Sequence, residues 1–199
     1  MTEFPVPDKV IEIDLPRVAK SSLTISAVAF LLLWILKDVI ERDFLFPLSL
    51  WTVVFFILGY IVLIILHELF HLLGFRIYGG VPWKKMIVGV NLKMGIAYAT
   101  TNELLTNRAI RKALLLPFWM TGILPAFVGL YIGSGLLVSL SALLIGGAAG
   151  DFAMYKELKE LPDEWVVRDD PELPKLYVYA PEKRIELENY IVNKNATLE

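Results

Sequence analysis

The sequence predicts an all-α membrane protein: a bundle of about four transmembrane helices with a small β hairpin at the membrane surface. Three observations predict it. Hydrophobic residues make up 56% of the chain and mean hydropathy is +0.60, above the roughly 45–50% apolar content of soluble domains. The excess is gathered into long runs almost free of charge, of lengths that suit a bilayer core. Between residues 81 and 112 the pattern changes to short β-branched stretches punctuated by glycine.

The elements follow in order. Residues 1–20 mix charges and carry Pro5, Pro7 and Pro16; they do not read as a cleavable signal peptide and are expected in the cytosol. The first apolar run, Ser21 to Leu36, is bounded by Lys20 and Lys37, which can snorkel to the interface. Val39 and Ile40 extend it to a span over about residues 21–40. A charged turn through Asp43 follows. The second run starts at Phe44, has Glu68 as its sole charge, and gives a span over about 48–74 that Arg76 and Gly79-Gly80 end. Met86 to Leu92 and Gly95 to Thr101 read as two strands of a hairpin, a β connector over about 84–101. Asn102 and Glu103, then Asn107 with Arg108, are helix-start signals for a third span over about 113–132. Pro117 and Pro125 are expected to kink it, as membrane helices tolerate. Gly133-Ser134-Gly135 precedes a fourth span, about 136–155, whose sole charge is Asp151. The transmembrane unit thus covers 21–155. Residues 156–199 form a polar tail, with a strand expected over Leu176–Ala180 and a short helix over Glu182–Val192.

Charge and cysteine content narrow the chemistry. Net charge is −2 and no nucleic-acid partner is expected. Cysteine is absent, which removes disulfides, thiolate metal ligands and cysteine nucleophiles. Lysine and arginine concentrate in the N-terminal segment, the 81–112 connector and the tail. The positive-inside rule then predicts a multi-pass protein of the cell membrane with both termini and the connector in the cytosol.

The most informative residues are His67-Glu68-Leu69-Phe70-His71, inside the second apolar run and containing both histidines of the chain. Positions i and i+4 share one helix face, so both imidazoles can reach one metal ion, with Glu68 placed as general base toward a metal-bound water. Ionisable groups in hydrocarbon are costly and point to function. A catalytic zinc site takes three protein ligands and leaves one position open. Asp151 is the candidate for the third: its helix runs parallel to that of His67, at a similar depth, and no other carboxylate besides Glu68 lies in the second to fourth spans. Gly147, one turn before Asp151, and Gly74, on the histidine face, are expected to let the backbones approach. Competing ligands are Glu103, Asp169, Asp170 and Glu172, which could fold back from connector or tail. One Zn²⁺ per chain is predicted, with an oxyanion donor among Asn91, Asn102 or a backbone N–H.

With these residues in place, the chain resembles the three-helix core of site-2-type intramembrane metalloproteases. It resembles more closely the zincin peptidase family of small multi-pass membrane proteins. The likeness rests on His67-Glu68-x-x-His71, Ala97-Tyr98-Ala99-Thr100, Gly150-Asp151 and Leu176-Tyr177-Val178-Tyr179, and covers about Trp51 to Ala180. It implies zinc-dependent peptide-bond hydrolysis at or within the membrane, on a membrane-anchored protein or peptide. The Asn-Pro…Asp-Gly setting of site-2 enzymes is missing: Asp151 stands between Gly150 and Phe152. Two other readings compete. One is a non-proteolytic metal-binding adaptor or chaperone with a protease-like fold, for which Glu68 would be superfluous. The other is a metal-ion carrier, for which a relay of polar sites is missing.

Overall fold

The computed structural model describes residues 5–42, 49–91, 96–170 and 173–196. Asp43, Phe44, Leu92, Gly95 and Glu172, which the sequence reading used, lie outside them, as does the expected start of the second span at residue 48.

A short strand, β1 (Lys9–Glu12), leads into α1 (Leu15–Glu41). Asp14 caps α1 by accepting from the Arg17 N–H at 3.2 Å, and Pro16 sits in its first turn, where a missing N–H costs nothing. The helix therefore begins at Leu15, ahead of the apolar run. Lys37 does not snorkel. It is buried, paired with Glu41, with its ammonium 5.3 Å from the Trp34 ring centre. A carboxylate and an aromatic face replace the water it would otherwise seek.

Helix α2 (Leu50–Gly79) is capped by Ser49, which accepts from the Thr52 N–H at 3.1 Å, and stops at Gly80, whose φ of 68° suits glycine. The expected hairpin follows: β2 (Met86–Asn91) pairs antiparallel with β3 (Ile96–Thr101), Val88 opposite Ala99. Next come β4 (Leu105–Thr106) and α3 (Asn107–Pro117). The cap of α3 is Thr106, which accepts from the Ala109 N–H at 3.3 Å. Asn107, expected as a helix-start signal, is the first residue of α3; its side chain is buried and its Nδ2 donates to the carbonyls of Leu158, Leu161 and Pro162, each at 2.9 Å.

The third span continues as a π-helical segment, Phe118–Ile123, and then α4 (Leu124–Tyr131). Ser134 caps α5 (Gly135–Gly147), and after a break at Ala148 the chain continues as α6 (Ala149–Leu158). Among the described residues, four stretches are long and apolar enough to cross a membrane: Leu15–Glu41, Leu50–Gly79, Asn107–Tyr131 and Gly135–Leu158.

Glycines set the closest approaches. A Cβ on Gly74 would lie 2.7 Å from Ala113 Cα, so α2 and α3 touch backbone to backbone there. A Cβ on Gly146 would lie 2.0 Å from Ser26 Oγ and 2.5 Å from the Ser22 carbonyl, which brings α1 against α5. Gly147 does not have the role expected of it: a Cβ there meets nothing within 4 Å. Gly147 instead lines the same cavity as Asp151, one residue before the break at Ala148.

The tail is folded into the rest of the protein. β5 (Val166–Asp169) and β6 (Lys175–Tyr179) join β1 and β4 in an antiparallel sheet of order β1-β6-β5-β4, and α7 (Arg184–Ala196) follows. Lys9 stands opposite Val178, Val178 opposite Val167, and Val167 opposite Leu105. Ile11, Leu105, Val167, Leu176 and Val178 share one buried cluster with Leu72 and Phe75 of α2, Ile110 of α3 and Leu158 of α6. This sheet therefore rests on the ends of the helices that carry the histidines and Asp151.

Candidate metal centre

His67 and His71 are buried on the face of α2 that packs against α3, and their ring centres lie 5.1 Å apart. Asp151 arrives in the first turn of α6. Its carboxylate faces both imidazoles. Its two oxygens divide between the two rings: Oδ2 is 3.2 Å from His67 Nε2 and Oδ1 is 3.2 Å from His71 Nε2. The ligand atoms of all three side chains fall within 4.8 Å of one another.

The far side of each ring is also held. His67 Nδ1 lies 3.3 Å from Thr121 Oγ1, and His71 Nδ1 lies 3.2 Å from the Ala113 carbonyl oxygen. Zinc with Zn–N of about 2.0–2.1 Å and Zn–O of about 2.0–2.2 Å in tetrahedral geometry separates its ligand atoms by about 3.3–3.4 Å. The two His–Asp separations, 3.2 Å each, match that spacing. The donor set therefore fits zinc, with one carboxylate and two imidazoles as in open sites.

The centre opens onto a cavity of about 270 Å³. Glu68 is half-buried on its wall, and the backbone N–H of Ala99 donates to the Glu68 carboxylate. Strand β3 is thereby anchored to the metal-binding helix, and Ala97, Tyr98, Ala99 and Thr100 line the same cavity. Opposite, Thr100 Oγ1 donates to Asp169 Oδ2 at 2.6 Å, which ties β3 to β5. Burial pushes the Asp169 carboxyl up to about 7, against the opposing pull of the Thr100 hydroxyl.

Of the residues singled out by sequence, His67, His71 and Asp151 converge, and Glu68 lies on the same wall. Asn91 lines the cavity, whereas Asn102 is exposed and does not. Among the competing carboxylates, Glu103 is held by Lys85 Nζ at 2.8 Å, away from the cavity. Asp169 and Asp170 line it without joining the ligand group. Both carboxylate oxygens of Asp170 are engaged locally, Oδ1 by the Leu173 N–H at 3.0 Å and Oδ2 by the Tyr177 hydroxyl at 2.9 Å. Sequence reasoning missed Thr121 and Ala113 as partners of the histidines. The available signal was Pro117: a proline within a helix leaves the carbonyl four residues earlier without its usual donor, and that residue is Ala113.

No curated protein and no solved structure matches the chain. One family model, described as "Putative zincin peptidase", matches residues 60–166, the stretch that holds both histidines, Glu68, the hairpin and Asp151. On that match, over more than half of its length, the chain belongs to this zincin peptidase family.

Proposed function

We propose that this protein is an intramembrane zinc metalloendopeptidase, similar in plan to site-2-type proteases, that hydrolyses peptide bonds of membrane-anchored proteins or peptides. The observation that carries the reading is the convergence of His67, His71 and Asp151 beside Glu68 on a cavity walled by a β strand. His67, His71 and Asp151 would hold one zinc ion. When bound, zinc supplies a Lewis acid that lowers the pKa of water and polarises a carbonyl.

The remaining work falls to the chain's own groups. Glu68 takes a proton from the attacking water and delivers it to the leaving amine nitrogen as the C–N bond breaks. The Ala99 N–H holds the Glu68 carboxylate in place between these transfers. Because that N–H points to α2 and not to β2, alternation along an antiparallel strand turns the backbone of Ala97 to the same outer edge. An extended substrate backbone lies along this edge as an added strand. Leu114, Met154 and Leu176 give the cavity apolar walls that limit bulk water. The bilayer is the working environment, with both termini and the hairpin on the cytosolic side.

The test is metal analysis with a peptide-release assay on the purified protein in detergent or vesicles. Glu68→Gln should retain zinc and lose at least roughly 100-fold in cleavage, the scale of general-base catalysis. Unchanged turnover in Glu68→Gln would sink the mechanism. Zinc binding with no cleavage by the parent protein would favour a non-proteolytic adaptor.

A further inference from the structure

Two features of the third span bear on the metal centre without touching the metal position: Pro117 and the π-helical turn that carries Thr121. Ala113, Pro117 and Thr121 are spaced by four and all are buried on the side facing α2. The Ala113 carbonyl would normally accept from the N–H of residue 117. Proline has none, so this oxygen is open. Gly74 brings α2 close enough for His71 Nδ1 to reach it at 3.2 Å. A carbonyl oxygen only accepts, so His71 Nδ1 must carry the proton.

The argument for His67 is independent. Thr121 Oγ1 donates its single proton to the Pro117 carbonyl at 2.8 Å. Toward His67 Nδ1, 3.3 Å away, the hydroxyl is left only as an acceptor. His67 Nδ1 therefore also carries the proton. A neutral imidazole has one N–H, so Nε2 of each ring is left with a lone pair. These two lone pairs meet the Asp151 oxygens at 3.2 Å. Three groups that only accept, converging in a buried site, repel one another unless a cation lies between them.

We infer that Pro117 and Thr121 are positioning residues that fix both imidazoles as Nδ1–H tautomers and so prepare Nε2 of His67 and His71 for a divalent cation. The inference rests on the metal-site reading above but not on proteolysis. The device uses a helix irregularity: proline removes one backbone donor, and the π turn presents a hydroxyl that is already spent as a donor. Such turns recur at functional sites.

The experiment uses the full-length protein with ¹³C,¹⁵N-labelled histidine. Nitrogen resonances of the zinc-loaded protein report which ring nitrogen is protonated, and chelator competition gives zinc affinity. The parent should show Nδ1–H on both rings. Thr121→Val keeps the shape and removes the acceptor. It should bind zinc roughly 10–100-fold more weakly, as is usual when a ligand's outer partner is lost, with His67 no longer uniformly Nδ1–H. Thr121→Ser should restore both readouts, which a purely structural role for the side chain would not require. Pro117→Ala returns an N–H that competes for the Ala113 carbonyl; it should weaken zinc and disturb His71 alone. Parent-like affinity and tautomers in both Thr121→Val and Pro117→Ala would overturn the inference, as would protonated Nε2 in the parent. A parent that binds no zinc overturns this inference and the peptidase reading together. A parent that binds zinc through Thr121-dependent rings but cleaves nothing overturns only the peptidase.

Discussion

Asp151 lies two residues into α6, and its carboxylate splits between the two imidazoles at equal distance. Asp151→Ala should leave a folded bundle that binds zinc at least roughly 100-fold more weakly, or about 2.7 kcal/mol. Asp151→Asn should be intermediate, since an amide oxygen coordinates without charge. Isothermal competition with a chelator measures both. Full zinc in Asp151→Ala, with loss in Asp169→Ala or Asp170→Ala, would transfer the ligand to β5. Asp169 makes a separate prediction. Its carboxyl, with Thr100, Asp170 and His71 around it, is pushed up to about 7 by burial. The folded protein then keeps a proton that the unfolded chain releases. Its stabilising effect is complete below about pH 4 and fades as pH rises toward about 7. Asp169→Asn is neutral throughout. Melting curves of the pair from pH 4 to 8 should therefore diverge in favour of the variant by about 2 kcal/mol, less than a full three-unit shift because the group borders the cavity. A constant difference across that window would mean Asp169 is already charged in the fold.

At the scale of elements, the hairpin joins the metal-binding helix to the sheet. On one side Ala99 N–H binds Glu68, and on the other Thr100 binds Asp169. The antiparallel register puts Val88 opposite Ala99 and Val90 opposite Ala97. Alternation then gives β2 an outer edge at Val88 and Val90, remote from Glu68, and β3 an outer edge at Ala97 and Ala99, beside it. Proline scanning separates them. Ala97→Pro should abolish cleavage by removing an N–H on the substrate side, and Ala99→Pro by removing the N–H that holds Glu68, while Val88→Pro and Val90→Pro should keep most of it. If all four variants fold and cleave normally, no substrate strand lies on β3.

At the scale of the molecule, the sheet constrains topology. Its strands come from before α1, from between α2 and α3, and from after α6. Strands hydrogen-bond only on one side of a bilayer, so in a bilayer-spanning arrangement the helices between them would cross in pairs. This agrees with the four stretches among the described residues that are long and apolar enough to cross, and with the skew in lysine and arginine. The chain has no cysteine, so single cysteines report cleanly. Lys84→Cys and Lys175→Cys should both resist impermeant reagents in intact cells and react after permeabilisation. Reaction of both from outside would invert the protein and its active site, and reaction of only one would contradict the shared sheet.

What could be read from sequence is what one segment settles by itself. Four nearly uncharged runs, the Gly80 stop of α2, the alternating hairpin and the i, i+4 histidines are all local patterns, set by a helix period, a strand period or the cost of charge in lipid. Asp151 was also legible, because few carboxylates occur in the spans. Tertiary structure decided the rest. β1, β4 and β5 are two to four residues long, too short to announce themselves, and they exist because Lys9 meets Val178 and Leu105 meets Val167 across long stretches of chain. Gly146, not Gly147, makes the close contact, against Ser22 and Ser26 of α1, a pairing of distant segments that no periodicity within α5 foretells. Pro117 was visible as a kink, but its released carbonyl gains meaning only when Gly74 brings His71 against it. Hydrogen-bond partners that lie on different helices depend on packing, and packing is a property of the assembled bundle.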